Sequence, residues 1–275
     1  MSHLLTDDGV KLYYEERGAG APVVFVHEYA GSCRSFDMQV EAFHAHHHCV
    51  VFNARGYPPS DVPSAIDSYS QELAASDIGA VFDRLGLGRG HVVGVSMGAA
   101  SALQFALKEP RRVLSATLVG IGSGSDEPAL FREASEATAR LAHKSGMPAL
   151  ASEMGRAPNR YRLNEKNPAE FRRWSEQLSA MSPIGHANTM RGVQKRRPPL
   201  YEHAKRLESL KLPVLIVVGA EDAGCRKPSE FLERTLPNAR LHVIPTTGHA
   251  VNLEEPAEFN RLCLSFIDGV QAAGR

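Results

Sequence analysis

The sequence predicts an α/β protein: a mostly parallel sheet with helices on both faces. Three observations carry that reading. Short apolar runs alternate with amphipathic helix patterns at both ends of the chain. Most of these runs are apolar throughout, as strands covered on both faces are. Between about 122 and 200 the alternation stops and the chain reads as helices, a size that suits an insertion over the strand ends.

Taken in order, H-L-L-T and V-K-L-Y-Y-E-E flank D-D-G, the mark of a β-hairpin at one edge of the sheet. Strand-like runs then follow at 23–26, 49–52, 91–95, 114–119, 213–218 and 241–244. Residues 69–85 put Leu73, Ile78, Val81, Phe82 and Leu85 on one helical stripe. A helix pattern over 97–108 follows the run at 91, and Pro256 opens the last helix at a position where proline's missing N–H costs nothing. Inside the interruption, helix patterns fall at 128–142, 148–156, 168–178 and 186–195. The expected division is a core domain of residues 1–121 and 200–275, and a helical cap subdomain of 122–199.

Composition is that of a soluble globular protein of 275 residues, 43% apolar and 23% charged, with zero formal net charge. A dedicated nucleic-acid binder would carry a basic excess, so that class is excluded. Residues 123–199 hold 13 Lys/Arg against 8 Asp/Glu, which reads as a solvated basic helical surface or a weak attraction for anions. Cys33, Cys49, Cys225 and Cys263 form no C-x-x-C pair and suit a reducing compartment. No apolar run has membrane-spanning length, and M-S-H-L-L-T-D-D-G has no signal-peptide pattern. The expectation is a cytoplasmic protein with no membrane partner.

In open α/β sheets, ligands bind beyond the carboxyl ends of the strands. Ser96 follows the run at 91–95 in G-V-S-M-G, and A-A-S-A-L-Q-F-A-L-K opens a helix directly after it. A serine on such a strained strand-to-helix turn needs small neighbours, which Gly94, Gly98 and Ala99 supply. The hydroxyl requires a base, and His249 in P-T-T-G-H follows the strand at 241–244. The base requires an orienting carboxylate. Asp222, after the strand at 213–218, is the better candidate, with Glu221 beside it. His44, His46, His47 and His48 are expected in a surface turn, lacking a further ligand at metal-site spacing.

With these residues in view, the chain resembles the α/β-hydrolase fold superfamily, in its capped, esterase-like group. The resemblance rests on V-V-F-V-H-E-Y-A-G-S, F-N-A-R-G-Y-P-P-S, G-V-S-M-G, V-V-G-A-E-D and P-T-T-G-H-A-V-N-L-E-E-P. It implies an eight-stranded sheet, a cap inserted between strands 6 and 7, and a Ser96–His249–Asp222 triad. It also implies an oxyanion hole from the backbone N–H groups of Met97 and Tyr29, and no metal or cofactor. Similar enzymes carry His-Gly where this chain has His27-Glu28. Two readings of Glu28 follow: an ion pair with Arg55 that turns it away from Ser96, or a pocket carboxylate that contacts substrate. Trp174, Phe131, Phe171 and Tyr161 are candidates for the pocket roof, with cap-core packing as the plainer role for each.

The expected function is a serine hydrolase of a small to medium carboxylic ester or lactone. Alternatives from the same scaffold are a carbon–carbon bond hydrolase of aromatic ring-fission products, an acyltransferase or perhydrolase, and a non-catalytic ligand receptor. The sequence does not fix the oligomeric state.

Overall fold

The computed structural model describes residues 2–274. Eight strands form one sheet: β1 (Ser2–Leu5), β2 (Lys11–Arg17), β3 (Ala21–Val26), β4 (His47–Phe52), β5 (Gly90–Val95), β6 (Val113–Val119), β7 (Val214–Gly219) and β8 (Ala239–Ile244). Their order is β1-β2-β4-β3-β5-β6-β7-β8. The opening hairpin pairs antiparallel, with Leu4 opposite Leu12, and β2 pairs antiparallel with β4; every other neighbour is parallel. This is the predicted edge hairpin on a parallel sheet.

Among the described residues, eleven α-helices connect and cover the strands. They are α1 (Asp37–Phe43), α2 (Gln71–Arg84), α3 (Met97–Lys108), α4 (Pro128–Gly155), α5 (Pro158–Lys166), α6 (Pro168–Ser179), α7 (Pro183–Thr189), α8 (Ala204–Ser209), α9 (Ala223–Thr235), α10 (Val251–Glu254) and α11 (Pro256–Ala273). Alternate residues of each strand point to opposite faces. Val24, Val26, Val50, Val92, Leu118 and Ile216 pack with Ile78, Phe82, Leu103, Phe105 and Leu232 from α2, α3 and α9. Val23, Phe25, Val51, Val93 and Val217 pack with Phe43 of α1 and with Phe259, Cys263 and Ile267 of α11. Burying such a side chain fully contributes about 1.5–3 kcal/mol relative to leaving it in water, which is why both faces must be covered.

Helices α4 to α7 lie between β6 and β7, where the alternation of the sequence stops. The two patterns expected at 128–142 and 148–156 are the halves of α4, broken at Gly146, whose φ of 83° only glycine adopts readily. The pattern expected near 186–195 is α7 continued by a wide turn at Met190–Gln194. Helix α5 was not predicted. Its sequence, P-N-R-Y-R-L-N-E-K, offers one fully buried apolar residue, Leu163, and so no periodicity to read. The histidines before β4 also differ from expectation: His47 begins the strand and is buried, while His48 reaches Glu16 on the neighbouring strand. Among the described residues, no helix is long and apolar enough to cross a membrane.

Candidate active site

Ser96 stands between β5 and α3 with φ 53° and ψ −111°, a backbone conformation that is costly for a residue with a side chain. Two glycines make the turn possible. A Cβ on Gly98 would overlap the Val26 carbonyl oxygen, and one on Gly94 would overlap that of Gly98. The G-x-S-x-G spacing therefore records how closely the start of α3 passes the ends of β3 and β5. The Ser96 amide donates to Val119 O of β6 at 2.7 Å, fixing the turn against the sheet.

His249 lies on the loop after β8, and its Nε2 is 2.8 Å from Ser96 Oγ. Its Nδ1 is 2.6 Å from Asp222 Oδ2, on the loop after β7. With Nδ1–H donating to the carboxylate, Nε2 is left to accept the serine proton. Burial works against the charged imidazolium, but the Asp222 carboxylate, by charge and hydrogen bond, outweighs it and holds His249 well above the ordinary histidine range. Burial pushes Asp222 up while His249 pulls it down, and the net direction is below its usual value. The structure thus brings Ser96, His249 and Asp222 into one hydrogen-bonded line. Glu221, the neighbouring candidate, instead receives Arg162 of α5 at 2.6 and 2.8 Å.

The His249 loop has a support the sequence did not reveal. The buried Glu254 carboxylate accepts the Gly248 amide at 2.6 Å and the Ala250 amide at 3.0 Å, gripping the backbone on both sides of the histidine. Burial raises its pKa, against the downward pull of those two amides. The signal was present in H-A-V-N-L-E-E-P, but nothing in the string says which glutamate turns back.

The loop after β3 is where expectation and structure part. Glu28 does not pair with Arg55. Arg55 is already held by Asp77 at 2.7 and 2.8 Å and by Asp8 at 2.7 and 3.0 Å. Glu28 is 3% exposed and meets Arg160 of α5, whose Nη1 and Nη2 donate to its two carboxylate oxygens at 3.1 and 2.6 Å. Burial alone would raise the Glu28 pKa; the charge and hydrogen bonds of Arg160, with smaller help from His249 and His27, bring it below its usual value. The backbone does not demand glycine here, since the non-glycine residues with positive φ among those described are Ser96 and Thr246.

Each residue of this loop is tied down. His27 uses both ring nitrogens, Nδ1–H to Glu28 O at 2.7 Å and Nε2 from the Ala54 amide at 3.0 Å, and burial lowers its pKa to about 4. Tyr29 is buried, its ring 5.1 Å from that of His186 on α7 and its carbonyl accepting from Tyr57 Oη at 2.9 Å. Trp174 of α6 donates Nε1–H to Ala30 O at 2.8 Å, and the Arg160 guanidinium lies 4.7 Å from its ring. Trp174 therefore packs between the helical insertion and this loop, with Tyr29 and Met97 in the same apolar cluster. Met97 is the first residue of α3, where the amide has no partner within the helix. Tyr161 is exposed, and Phe131 stands over Arg197 instead.

Among the described residues, the grouping with metal-ligand spacing is Asp222, Cys225 and His249. Its donors are already engaged: Nδ1 and Oδ2 hold each other, and the Cys225 thiol, pushed up in pKa by burial, donates to Gly120 O at 3.1 Å. That donor set suits hydrogen bonding better than ligation.

Residues 21–256 match the model of the alpha/beta hydrolase fold family, and the chain belongs to that family. It is 26% identical, over 98% of both chains, to a putative 2-succinyl-6-hydroxy-2,4-cyclohexadiene-1-carboxylate synthase of Bacillus subtilis. It is 27% identical to a 2-hydroxy-6-oxononadienedioate/2-hydroxy-6-oxononatrienedioate hydrolase of Burkholderia vietnamiensis, over 96% of this chain and 93% of that one. The fold is also that of a thermophilic esterase from Thermogutta terrifontis, with a TM-score of 0.87, 24% identity and 98% of each chain covered.

Proposed function

We propose that this protein is a serine hydrolase acting on a small to medium carboxylic ester or lactone. The observation that carries the reading is the line Ser96 Oγ–His249 Nε2–His249 Nδ1–Asp222 Oδ2, at 2.8 and 2.6 Å. In this reading Ser96 attacks the carbonyl carbon while His249 takes its proton. Asp222 keeps the imidazole in the required tautomer and stabilises the imidazolium. The backbone N–H groups of Met97 and Tyr29 receive the oxyanion, where a fixed donor is worth about 10²–10³ in rate. His249 then returns the proton to the leaving oxygen, and water resolves the acyl-enzyme by the same route. Residues 122–199 act as the cap that shapes the pocket, with Trp174 and the Glu28–Arg160 pair in its wall. Because Arg160 neutralises Glu28, the carboxylate next to the catalytic loop does not oppose the developing oxyanion.

The test is stopped-flow release of p-nitrophenol across an acetyl-to-decanoyl ester series. A burst proportional to enzyme, absent in Ser96→Ala, supports the reading; Ser96-independent release overturns it.

The relatives named as 2-hydroxy-6-oxononadienedioate hydrolases favour a second reading, carbon–carbon bond hydrolysis of an anionic ring-fission product by the same residues. Competition between an anionic dienoate and a neutral ester of similar length separates the two.

A further inference from the structure

Against α3 lies a cavity of about 30 Å³. Its walls include Gln71 of α2, Gln104 of α3, Ile121 and Ser125 of the loop after β6, and Arg197. Ala100, one helical turn beyond Ser96, also lines it. On a scale where one water needs about 10–15 Å³, this space takes two or three heavy atoms.

Arg197 is the feature that calls for a ligand. It belongs to a run of cations whose other members are paired. Arg191 and Lys195 share Glu136 at 2.9 Å each, and Arg196 reaches Asp67 at 3.3 Å. Arg197 makes no ion pair among the described residues. Its Nη2 donates to the Ser123 carbonyl at 2.8 Å, and its guanidinium lies 5.4 Å from the Phe131 ring. Arg197 is partly exposed, and where protein replaces water around its guanidinium with no carboxylate to compensate, its pKa is pushed down to about 10. One neighbour has unused donor capacity. Ser125 Oγ accepts the Leu200 amide at 3.0 Å, which leaves its hydroxyl proton to donate.

We propose that this cavity binds a carboxylate group, with Arg197 as its counter-ion and the Ser125 hydroxyl as a second donor. A planar two-oxygen anion matches both the guanidinium fork and the small volume. The carboxylate has two sources: the far end of a substrate, or a free small acid. The wall residues Ile121 and Gly122 directly follow Gly120, where a Cβ would lie 3.2 Å from the His249 ring, so the wall and the His249 surroundings share one loop.

The test is calorimetric titration of the full chain with acetate, butanoate and succinate, each against its uncharged amide at constant ionic strength. The acids bind and the amides do not; Arg197→Gln weakens the acids at least tenfold, and Arg197→Lys, which keeps the charge but loses the fork, falls between. Equal binding of acid and amide to the unaltered protein overturns the proposal whether or not the variants fold, as does unchanged acid binding in a folded Arg197→Gln. Ser96→Ala retains acid binding, so this result stands apart from the hydrolase reading. To distinguish the sources, p-nitrophenyl hemisuccinate is compared with p-nitrophenyl butanoate. A preference for the hemisuccinate that Arg197→Gln abolishes assigns the site to substrate. Binding of free acid with no such preference assigns it to a separate small acid.

Discussion

Arg160 grips Glu28 through both terminal guanidinium nitrogens, and by doing so fastens α5 to the loop after β3. The same short helix sends Arg162 to Glu221, next to Asp222, and Lys166 to Thr247 and Glu255 on either side of His249. Three cations of one nine-residue helix thus meet the loops after β3, β7 and β8. The side chains of Arg160 and Glu28 are 3% and 4% exposed, unlike the two outer pairs, which water screens. Breaking a buried pair from one side leaves a bare charge and costs about 3–5 kcal/mol, while replacing both partners costs much less. Urea unfolding of Arg160→Met is expected to show a loss of that size, with the Glu28→Gln/Arg160→Met double variant recovering at least half. A single variant within experimental error of the parent would contradict the pairing.

Asp222 sets where His249 titrates. With the carboxylate holding the imidazole well above its ordinary pKa, the proposed ester hydrolysis is expected to rise with pH as His249 loses its proton. Asp222→Asn removes the main upward influence, so the rising limb of kcat/KM moves to lower pH. The rate on the plateau drops about 10³–10⁴-fold, as expected when the tautomer is no longer held. The full pH–rate profile of both proteins checks the shift and the drop together.

Glu254 acts on the loop, not on substrate. Glu254→Gln keeps one acceptor and loses the charge-assisted bond to either Gly248 or Ala250, a loss of about 1.5–3 kcal/mol. The effect is expected in kcat, about tenfold or more, with KM nearly unchanged, because His249 is displaced while the pocket is not. Steady-state kinetics on one ester separates the two parameters, and a change confined to KM would argue for a pocket role.

Buried neutral histidines make the fold acid-sensitive above the carboxylate range. Burial lowers His27 and His91 to about 4 and His186 to about 3. The folded values lie below the unfolded value near 6.5, so between pH 6.5 and 4 the unfolded chain binds more protons and stability falls as pH falls. Each group contributes a slope of up to about 1.4 kcal/mol per pH unit. Asp77, raised to about 6 by burial against the pull of Arg55, takes its proton in the folded state and offsets part of this. Urea midpoints at pH 7, 6 and 5 are expected to decline, and His91→Gln to flatten the decline by one proton's worth.

What the sequence disclosed follows from how local each signal is. The strands are short apolar runs, and the strained turn is set by Gly94, Ser96 and Gly98, within five residues of one another. Asp222 and His249 were legible because the topology of a parallel sheet carries every post-strand loop to the same edge. The partner of Glu28 was not legible. Arg55 stood nearby in sequence, but Asp77 and Asp8 had already claimed it, and Arg160 lies 132 residues away on a helix with almost no apolar pattern. Glu254 was hidden for a related reason: a carboxylate that turns back onto its own loop leaves no mark in residue spacing.

The most direct test of the account is intact-mass measurement after a short incubation with p-nitrophenyl acetate, quenched in acid, followed by peptide mapping. The account predicts a mass gain of one acetyl group per chain, located on Ser96, which Ser96→Ala abolishes and which His249→Ala slows to the rate of unassisted acylation. An acetyl group found on another residue, or an equal adduct in Ser96→Ala, would contradict it.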